Sequence, residues 1–481
     1  MKPSATIIGG SMAGLFAATS LSKKGWDISV HEKVPVPLSG RGAGIATYDE
    51  LADLVFRATN NNNVLGTTAK SRVSLDINGK IINSYDYPQV YTSWQYLFSI
   101  LREQISNDNY FMGDDCIKIE QNEDKAIAFF DNGKKKETDL IIVANGIKSE
   151  LRTYVDNKAY PQYAGYVGWR GVVNEEEISK NSLEILSNYF IVVLPYNQQI
   201  ASYPIAGEGK NPFKIGERRI NWIWYKPVPQ NKLKEILLGK SGQQFEDGIP
   251  PNEIREEIVN DLFKEAEEKL PPQLIELVKI TKQPLIQPIF DLQSIKMKNG
   301  RVVTIGDAAF TARPHVGMGV TKAAMDAFTL SEYLEDSSNL DDLDKWEHTR
   351  LKESQFIVNR SRKLGQYLSI PKNNEDLKMP NVQNVLKDTN NSELYISDEK
   401  ELGGLSEKIK DQAKRLAKNK GYSSGWVFNP TRISMYPFLT SSTNRDLREQ
   451  LYKMYINRGK NPNEFNNEDI VREMANLRLE K

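Results

Sequence analysis

Small residues and one acid near the N-terminus have the types and spacing of a nucleotide-binding turn. A short apolar run is followed by the turn residues Gly9, Gly10, Ser11 and Gly14, and Glu32 follows the next apolar run. Glycines let the backbone approach a pyrophosphate, a helix start offers free N–H groups, and a distal carboxylate accepts from a ribose hydroxyl. Ser11 stands where the pattern has its second glycine. A tight turn without ligand is the alternative, but strand, turn, helix and acid fall in register and favour a bound nucleotide.

A second stretch with this character is GRVVTIGDAAFTARPHVGMGVTKAAMDA, which starts at Gly300. An apolar strand runs into Gly306–Asp307, and a loop through Pro314 leads into a helix from about Val320. Asp307 at a strand end can accept hydrogen bonds from a polyol, and the loop amides can face a delocalised negative charge. A strand-ending turn is the alternative. Together with the first stretch, the pattern favours a cofactor.

Few other residues suggest chemistry. The chain has three histidines, and His315 lies in the loop just described. It could bond to or deprotonate a phenolic substrate, or it could be satisfied by the backbone, and both interpretations stay open. No metal site is expected. The single cysteine, Cys116, excludes an internal disulfide and favours a reducing compartment.

The elements that must position these residues predict an α/β protein. A βαβ unit opens the chain, and residues 163–225 are aromatic, β-branched and punctuated by turns. The pattern predicts a Rossmann-like parallel sheet with an inserted, mainly antiparallel β domain on the substrate side. Tyr203, Trp222 and Tyr225 on this segment are candidate substrate-lining residues. Sheet packing is the alternative for each of them.

Composition excludes some classes of partner. The chain has 481 residues, a formal net charge of zero and a pI near 6.9. Neither nucleic acid nor an anionic membrane is therefore an expected partner. No apolar run approaches membrane-spanning length. The first strand begins close to Met1, so no targeting peptide is expected and a cytoplasmic protein is predicted.

Several motifs together resemble the group A FAD-dependent aromatic monooxygenases, the p-hydroxybenzoate hydroxylase-like family, with the 2,6-dihydroxypyridine hydroxylases as the nearest branch. The resemblance covers roughly residues 4–370 and is carried by IIGGSMAGL, EKVPVPLSGRGAGI, YAGYVGWRGVV, ASYPIAG, NWIWYKPV and GDAAFTARPHVGMGVTKAAMDA. Two positions depart from the family pattern. Asn145–Gly146 stands where the family usually has Asp-Gly, and Trp94 stands where it usually has an arginine.

The resemblance implies which residues bind FAD. The glycine turn would hold the pyrophosphate, Glu32 the adenosine ribose and Asp307 the ribityl chain. Residues 314–320 would lie against the isoalloxazine, with amides from 317–320 near its pyrimidine edge. The implied cofactor-binding residues are Gly9, Gly10, Ser11, Ala13, Gly14, Glu32, Lys33, Arg41, Asp307, Pro314, Gly317, Met318, Gly319 and Val320.

The resemblance also implies the reaction. Only one nucleotide-type glycine turn is present, which fits NAD(P)H as a transient co-substrate of bound FAD. O₂ and a flavin hydroperoxide would then hydroxylate an aromatic or N-heteroaromatic small molecule. One alternative is the same chemistry on an antibiotic or quinone-like polyketide. Another is a flavin-binding docking protein with a fused helical tail, and a homodimer is left open.

The implied domains are discontinuous. Residues 1–72, 86–160 and 285–370 would form the FAD-binding domain, and residues 73–85 and 161–284 the substrate-side β domain. A polar, proline-bounded linker is expected at 371–381. Residues 382–481 resemble a helical fragment of the thimet-oligopeptidase-like zinc peptidases. They lack the HExxH pair, so this segment is expected to bind no zinc and to cleave nothing.

Overall fold

The computed structural model describes residues 2–38, 44–60, 65–246, 248–334, 340, 342–368 and 379–390. The chain divides into two units. The first comprises Met1–Thr47 and Asn62–Asn390, and the second Tyr48–Asn61 and Asn391–Lys481. The candidate site discussed below lies within the first unit. Arg41, residues 371–378 of the expected linker and the expected peptidase-like tail beyond Asn390 lie outside the described residues.

The strands and helices of the described chain have the following bounds. The strands are β1 (Ser4–Ile8), β2 (Asp27–Glu32), β3 (Gly44–Thr47), β4 (Thr67–Ala69), β5 (Ser71–Leu75), β6 (Ile81–Tyr85), β7 (Gln89–Ser93), β8 (Tyr110–Met112), β9 (Cys116–Gln121), β10 (Ala126–Phe130), β11 (Lys135–Thr138), β12 (Leu140–Val143), β13 (Gln162–Asn174), β14 (Tyr189–Val193), β15 (Gln199–Ile205), β16 (Arg219–Pro227), β17 (Leu285–Gln293), β18 (Lys298–Asn299), β19 (Val302–Thr304) and β20 (Phe310–Thr311). The helices are α1 (Met12–Lys23), α2 (Asp49–Thr59), α3 (Trp94–Arg102), α4 (Lys180–Leu186), α5 (Gln230–Ile236), α6 (Glu256–Lys269), α7 (Pro272–Lys279), α8 (Gly319–Tyr333), α9 (Leu343–Leu364) and α10 (Val382–Asp388).

A six-stranded sheet, in the order β18-β19-β12-β1-β2-β8, is parallel except for β18. Its central strands are almost wholly buried, and β12 (LIIV) is a continuous apolar run, as expected for a strand covered on both faces. The carboxyl ends of parallel strands share one edge, where ligands of open α/β sheets bind. The turns after β1, β12 and β19 and the end of β2 therefore meet at one edge.

An eight-stranded sheet forms the second layer, in the order β20-β17-β13-β16-β15-β14-β5-β6. Its pairs are antiparallel except β14 with β5. One face packs on a core that includes Trp222, Trp224, Leu262 and Leu274, the last two from α6 and α7. The parallel sheet and this mainly antiparallel sheet confirm the predicted fold class.

The segment 379–390 packs against this second layer. Arg72 of β5 is fully buried, and its guanidinium donates to the carbonyls of Leu386, Thr389 and Asn390. The backbone N–H of Asn390 donates to the carbonyl of His315 at 3.1 Å. The first unit thus continues to Asn390, whereas the sequence placed the start of the tail at 382. The bounds expected for the FAD-binding and substrate-side domains remain a prediction.

Candidate functional site

The turn after β1 lies against the turn after β12. Gly9 has a φ of +109°, and a Cβ at this position would lie 2.6 Å from the carbonyl oxygen of Ala144. Only glycine meets both conditions. Ser11 is the N-cap residue of α1, and Ala13 and Gly14 are buried in the first turn of that helix. Since the first amides of a helix have no acceptor within it, this turn offers N–H donors to an anion.

Glu32 ends β2 at the same edge of the sheet and is buried. One of its carboxylate oxygens accepts from the N–H of Gly10 at 2.9 Å, and the other accepts from the N–H of Val34 at 3.0 Å. Each oxygen keeps a further lone pair. The acid is therefore held beside the glycine turn and can still accept a hydrogen bond from a ligand hydroxyl.

Buried charges of α8 and α9 fix the turn that follows β19. The N–H of Gly306 donates to Asp326 at 2.9 Å, and its carbonyl accepts from Lys322 Nζ at 2.9 Å. Asp326 also accepts from Lys322 at 3.0 Å and from Arg350 at 2.8 Å, and these three side chains are fully buried. A buried ion is stable only when it is paired and hydrogen-bonded. The cluster therefore locks Gly306 at a φ of +62° and positions Asp307.

Asp307 stands between the buried residues Gly306 and Ala308, and its own side chain is exposed. Desolvation raises the pKa of its carboxyl; Lys322 opposes this shift and Asp326 adds to it. Arg152 connects the neighbouring turns, because its Nε donates to the carbonyl of Ala308 at 3.1 Å and its Nη1 to that of Ile147 at 3.0 Å. The turns after β12 and β19 are thereby held together next to Asp307.

The loop before α8 presents a second helix N-terminus. Gly317 ends a short 3₁₀ turn, Pro314–Val316, and its N–H donates to the carbonyl of Pro314 at 2.8 Å. Its amide is therefore already engaged, and Met318 is fully buried. Helix α8 begins at Gly319, so the amides of Gly319 and Val320 are the first-turn donors of this helix. Of the four amides 317–320 that were expected to face a ligand, these two are placed to donate a hydrogen bond to it.

A cavity of about 330 Å³, here called the nucleotide cavity, lies at this edge. Its lining comprises Ile8, Gly9, Ser11, Met12, Ala13, His31, Glu32, Lys33, Trp94, Asp114, Asp115, Ala144, Asn145, Gly146, Asp307, Gly319, Val320 and Ala323. Asn145 Oδ1 is buried and has no hydrogen-bond partner among the described residues. An unpaired buried acceptor in a cavity calls for a donor from a ligand.

A larger cavity of about 640 Å³, here called the sheet cavity, shares Lys33, Asp307, Gly319 and Val320 with the nucleotide cavity. Loop residues 311–315 and 317–320 form one part of its lining. Another part comes from one face of the eight-stranded sheet: Arg170, Gln199, Ala201, Tyr203, Ile223, Tyr225 and Gln287. One ligand could therefore extend from the helix N-termini into a space walled by aromatic side chains.

The three candidate substrate-lining residues do not lie on the same face of the sheet. Tyr203 and Tyr225 line the sheet cavity. Trp222 does not: it is fully buried on the opposite face, and its Nε1 donates to Thr281 Oγ1 at 2.9 Å. Successive side chains of a strand point to opposite faces, so residues 222 and 225 of β16 cannot share one. The expectation for Trp222 is corrected to sheet packing.

His315 is buried against two tyrosines at the sheet cavity. Its Nε2 lies 2.9 Å from the hydroxyl of Tyr166, its ring lies 4.3 Å from that of Tyr225, and its Nδ1 has no partner in the part of the chain that the structure describes. Burial, assisted by the charge of Arg313, lowers the pKa of His315 to about 3. The ring is therefore neutral near neutral pH. A base this weak is a poor proton acceptor there, which leaves hydrogen bonding as its role.

The sequence interpretation missed several residues of this site. Lys322 and Asp326 stand four apart on α8, the spacing of a helical ion pair, and both lie within the GDAAFTARPHVGMGVTKAAMDA stretch. Arg170 and Gln199 were also passed over, although alternation along β13 and β15 places them on the cavity face. Across the described ranges, no group of three or more His, Cys, Asp or Glu side chains could hold a metal ion. None of the described helices has the length and apolarity to cross a membrane.

These features fit a flavin dinucleotide. Two helix N-termini and a glycine turn suit the pyrophosphate, while Glu32 and Asp307 are acceptors for the ribose and the polyol chain. The unpaired acceptor of Asn145 lies in the same cavity. The sheet cavity adjoins this one at four shared lining residues, and it provides space for a flavin ring and an adjacent substrate.

Comparisons with known proteins agree with this fit. The FAD binding domain-like family matches residues 163–291. The chain is 28% identical over 367 residues to 2,6-dihydroxypyridine 3-monooxygenase of Paenarthrobacter nicotinovorans, covering 75% of this chain and 90% of that protein. It is 20% identical over 353 residues to 6-hydroxynicotinate 3-monooxygenase of Pseudomonas fluorescens, covering 70% and 83%.

Solved structures show the same fold. The structure of 2,6-dihydroxypyridine-3-hydroxylase from Arthrobacter nicotinovorans has a TM-score of 0.71 at 27% identity and covers 79% of this chain and 99% of that one. Klebsiella pneumoniae HpxO with FAD and uric acid has a TM-score of 0.61 at 20% identity, covering 77% and 90%.

These findings confirm the resemblance to the FAD-dependent aromatic monooxygenases. They also support the predictions that the protein is an enzyme and that FAD is its cofactor. The peptidase resemblance of residues 382–481 receives no support from them.

Proposed function

We propose that this protein uses NAD(P)H and O₂ to hydroxylate an aromatic or N-heteroaromatic small molecule, with bound FAD as the redox cofactor. The supporting observation is the junction of the two cavities at Asp307, Gly319 and Val320. When bound, FAD supplies the redox chemistry, and the protein supplies binding, orientation and exclusion of water.

The residues of the chain have separate tasks in this proposal. The glycine turn, Glu32 and Asp307 hold the nucleotide and the ribityl chain. With FAD bound, the first amides of α8 would stabilise negative charge on its flavin ring. Tyr203, Tyr225 and the neutral His315 surround the substrate ring on the other side of the sheet cavity. A substrate hydroxyl could hydrogen-bond to His315, whose Nδ1 is unpaired among the described residues.

The first test removes Asp307. The Asp307→Ala variant should purify with much less yellow flavin than the wild type, because the ribityl acceptor is lost. Asp344→Ala, which removes an exposed carboxylate from α9, is the control and should retain its flavin. Full FAD occupancy in Asp307→Ala would count against the assigned cofactor site.

The second test is a panel of phenols, hydroxybenzoates and hydroxypyridines, with NAD(P)H oxidation as the readout. Oxidation that depends on one class of aromatic supports the hydroxylase and indicates whether NADH or NADPH is used. Uniform inactivity on this panel, together with activity on a quinone-like polyketide, would favour the first alternative. Inactivity on both would favour the docking protein. A cytoplasmic location and a homodimer remain expectations of the same proposal.

A further inference from the structure

Arg170 is a half-buried cation on the cavity face of β13. It pairs with Ile223 of β16 and with Leu285 of β17, and Ala201 of β15 pairs with Ile223 in turn. Residues paired across neighbouring strands project to the same face of a sheet. Arg170 thus lies in a row of apolar side chains across the wall of the sheet cavity.

The guanidinium of Arg170 lacks a partner within the described chain. Its Nε is buried without a hydrogen-bond acceptor, and none of the ion pairs of the described residues includes it. Arg313, the other arginine of this cavity, differs in this respect, because its Nε pairs with Asp291 at 2.8 Å. A cavity cation without a carboxylate is a site for an anion that the protein does not itself provide.

The nearby side chains cannot supply that negative charge. Desolvation raises the pKa of Tyr203 to about 12, even though the charge of Arg170 acts to lower it. Burial also raises the pKa of Tyr225 well above its usual value, again against the charge of Arg170. Both tyrosines are therefore neutral at physiological pH. The acidic residues of the cavity lining are Glu150 and Asp307, and neither is paired with Arg170.

We propose that Arg170 binds an anionic oxygen of the substrate, so that the enzyme selects ring compounds that carry a carboxylate or an ionised ring hydroxyl over neutral ones. This inference rests on the proposed function and specifies its substrate class. A planar guanidinium can engage a carboxylate through two parallel N–H donors and a ring oxide through one or both. The aromatic and aliphatic side chains around Arg170 exclude water and strengthen this contact.

Binding to the oxidised, FAD-loaded protein tests the inference without NAD(P)H. The probes are 4-hydroxybenzoate against its neutral amide, 4-hydroxybenzamide, and 2,6-dihydroxypyridine across a pH series. Perturbation of the flavin absorbance gives each dissociation constant. A preference for 4-hydroxybenzoate identifies a carboxylate as the partner. Binding of 2,6-dihydroxypyridine that tightens as its hydroxyl ionises identifies a ring oxide.

Arg170→Gln should weaken binding of the preferred anion about 10- to 100-fold, the range expected for a charged hydrogen bond, and binding of the neutral amide less than about 3-fold. Arg170→Lys should recover part of the loss, since it restores charge but not the planar fork. Lys232→Gln removes an exposed positive charge from α5, outside the lining of both cavities, and should leave the anion's dissociation constant nearly unchanged.

Each of the following results would overturn the inference. Equal weakening of anionic and neutral probes in Arg170→Gln would show a packing role, and loss of FAD from that variant would place the guanidinium at the cofactor. Absence of binding by every anionic probe to the wild type would also contradict it. If the wild type hydroxylates neutral and anionic aromatics with equal kcat/KM, the Arg170 inference fails and the hydroxylase stands. If the wild type carries no FAD, both fail.

Discussion

The nucleotide cavity and the sheet cavity are built in different ways. Backbone amides, glycines and paired buried charges form the first, and its parts come from turns that follow parallel strands. Side chains from neighbouring strands form the second, and it contains a histidine nitrogen and an arginine without partners in the described chain. The contrast teaches that one region is fixed by local chain geometry before any ligand binds. The other depends on the pairing of distant strands. Beside the unpaired acceptor of Asn145 in the first region, it offers a cation and a histidine nitrogen to a ligand.

The largest effect should come from breaking the charge cluster that supports the nucleotide cavity. Asp326→Ala leaves Lys322 and Arg350 buried without their shared carboxylate, which should lower the free energy of unfolding by about 3–5 kcal/mol. Urea unfolding measures this change. Asp342→Ala breaks only an exposed pair with Lys345, so it is the matched control and should change stability by less than about 1 kcal/mol. Equal losses in the two variants would contradict a special role for the cluster.

The two faces of β16 should respond in opposite ways. Trp222→Phe removes core volume and the hydrogen bond to Thr281, so it should cost about 1–3 kcal/mol of stability and leave ligand affinity almost unchanged. Tyr225→Phe should do the reverse, with a changed dissociation constant for the aromatic ligand and little loss of stability. Urea unfolding and flavin-absorbance titration of both variants measure these effects. An affinity loss in Trp222→Phe as large as that in Tyr225→Phe would contradict the assignment of faces.

A smaller effect is expected at Asn145 in the nucleotide cavity. If its unpaired Oδ1 accepts from the cofactor, Asn145→Ala should lose one neutral hydrogen bond, or about 0.5–1.5 kcal/mol of FAD affinity. Equilibrium dialysis of FAD against the apoprotein measures this loss. The decrease should be smaller than that in Asp307→Ala. Unchanged FAD affinity would show that another group satisfies this oxygen.

The contribution of His315 to stability should be constant near neutral pH and should decrease in acid. Its pKa in the folded protein, about 3, lies below its value of 6.5 in the unfolded chain, so the unfolded state takes up the proton first as pH falls. The stability contributed by the neutral ring is present above about pH 6.5 and is lost as the pH approaches 3. Between about pH 7.5 and 4.5, the urea midpoint of the wild type should therefore fall more than that of His315→Gln. Parallel decreases would contradict a buried neutral histidine.

Much of the nucleotide cavity could be predicted because its signal is local. Gly9, Glu32 and Asp307 stand next to strand ends, and parallel strands carry such residues to one edge of a sheet. The charges that hold Gly306 were not predicted, since the pairing of Asp326 with Arg350 depends on how α8 and α9 pack. The helical spacing of Lys322 and Asp326 was the available hint.

The sheet cavity was predicted less completely because its residues come from separate strands. The antiparallel sheet followed from the β-branched and aromatic pattern, but the register that places Arg170 beside Ile223 is a long-range property. The error at Trp222 was avoidable, since residues three apart in one strand face opposite sides. Asn390 also lines the sheet cavity, and its position depends on the packing of 379–390 on Arg72, which no local pattern indicates.

The most direct test of the central claim uses labelled oxygen. The purified yellow protein is given NAD(P)H, ¹⁸O₂ and the aromatic that most stimulates NAD(P)H oxidation, and the product is analysed by mass spectrometry. The expected product is a hydroxylated ring with one labelled oxygen atom for each NAD(P)H consumed. NAD(P)H oxidation that yields only hydrogen peroxide, or a product whose new oxygen comes from water, would contradict it.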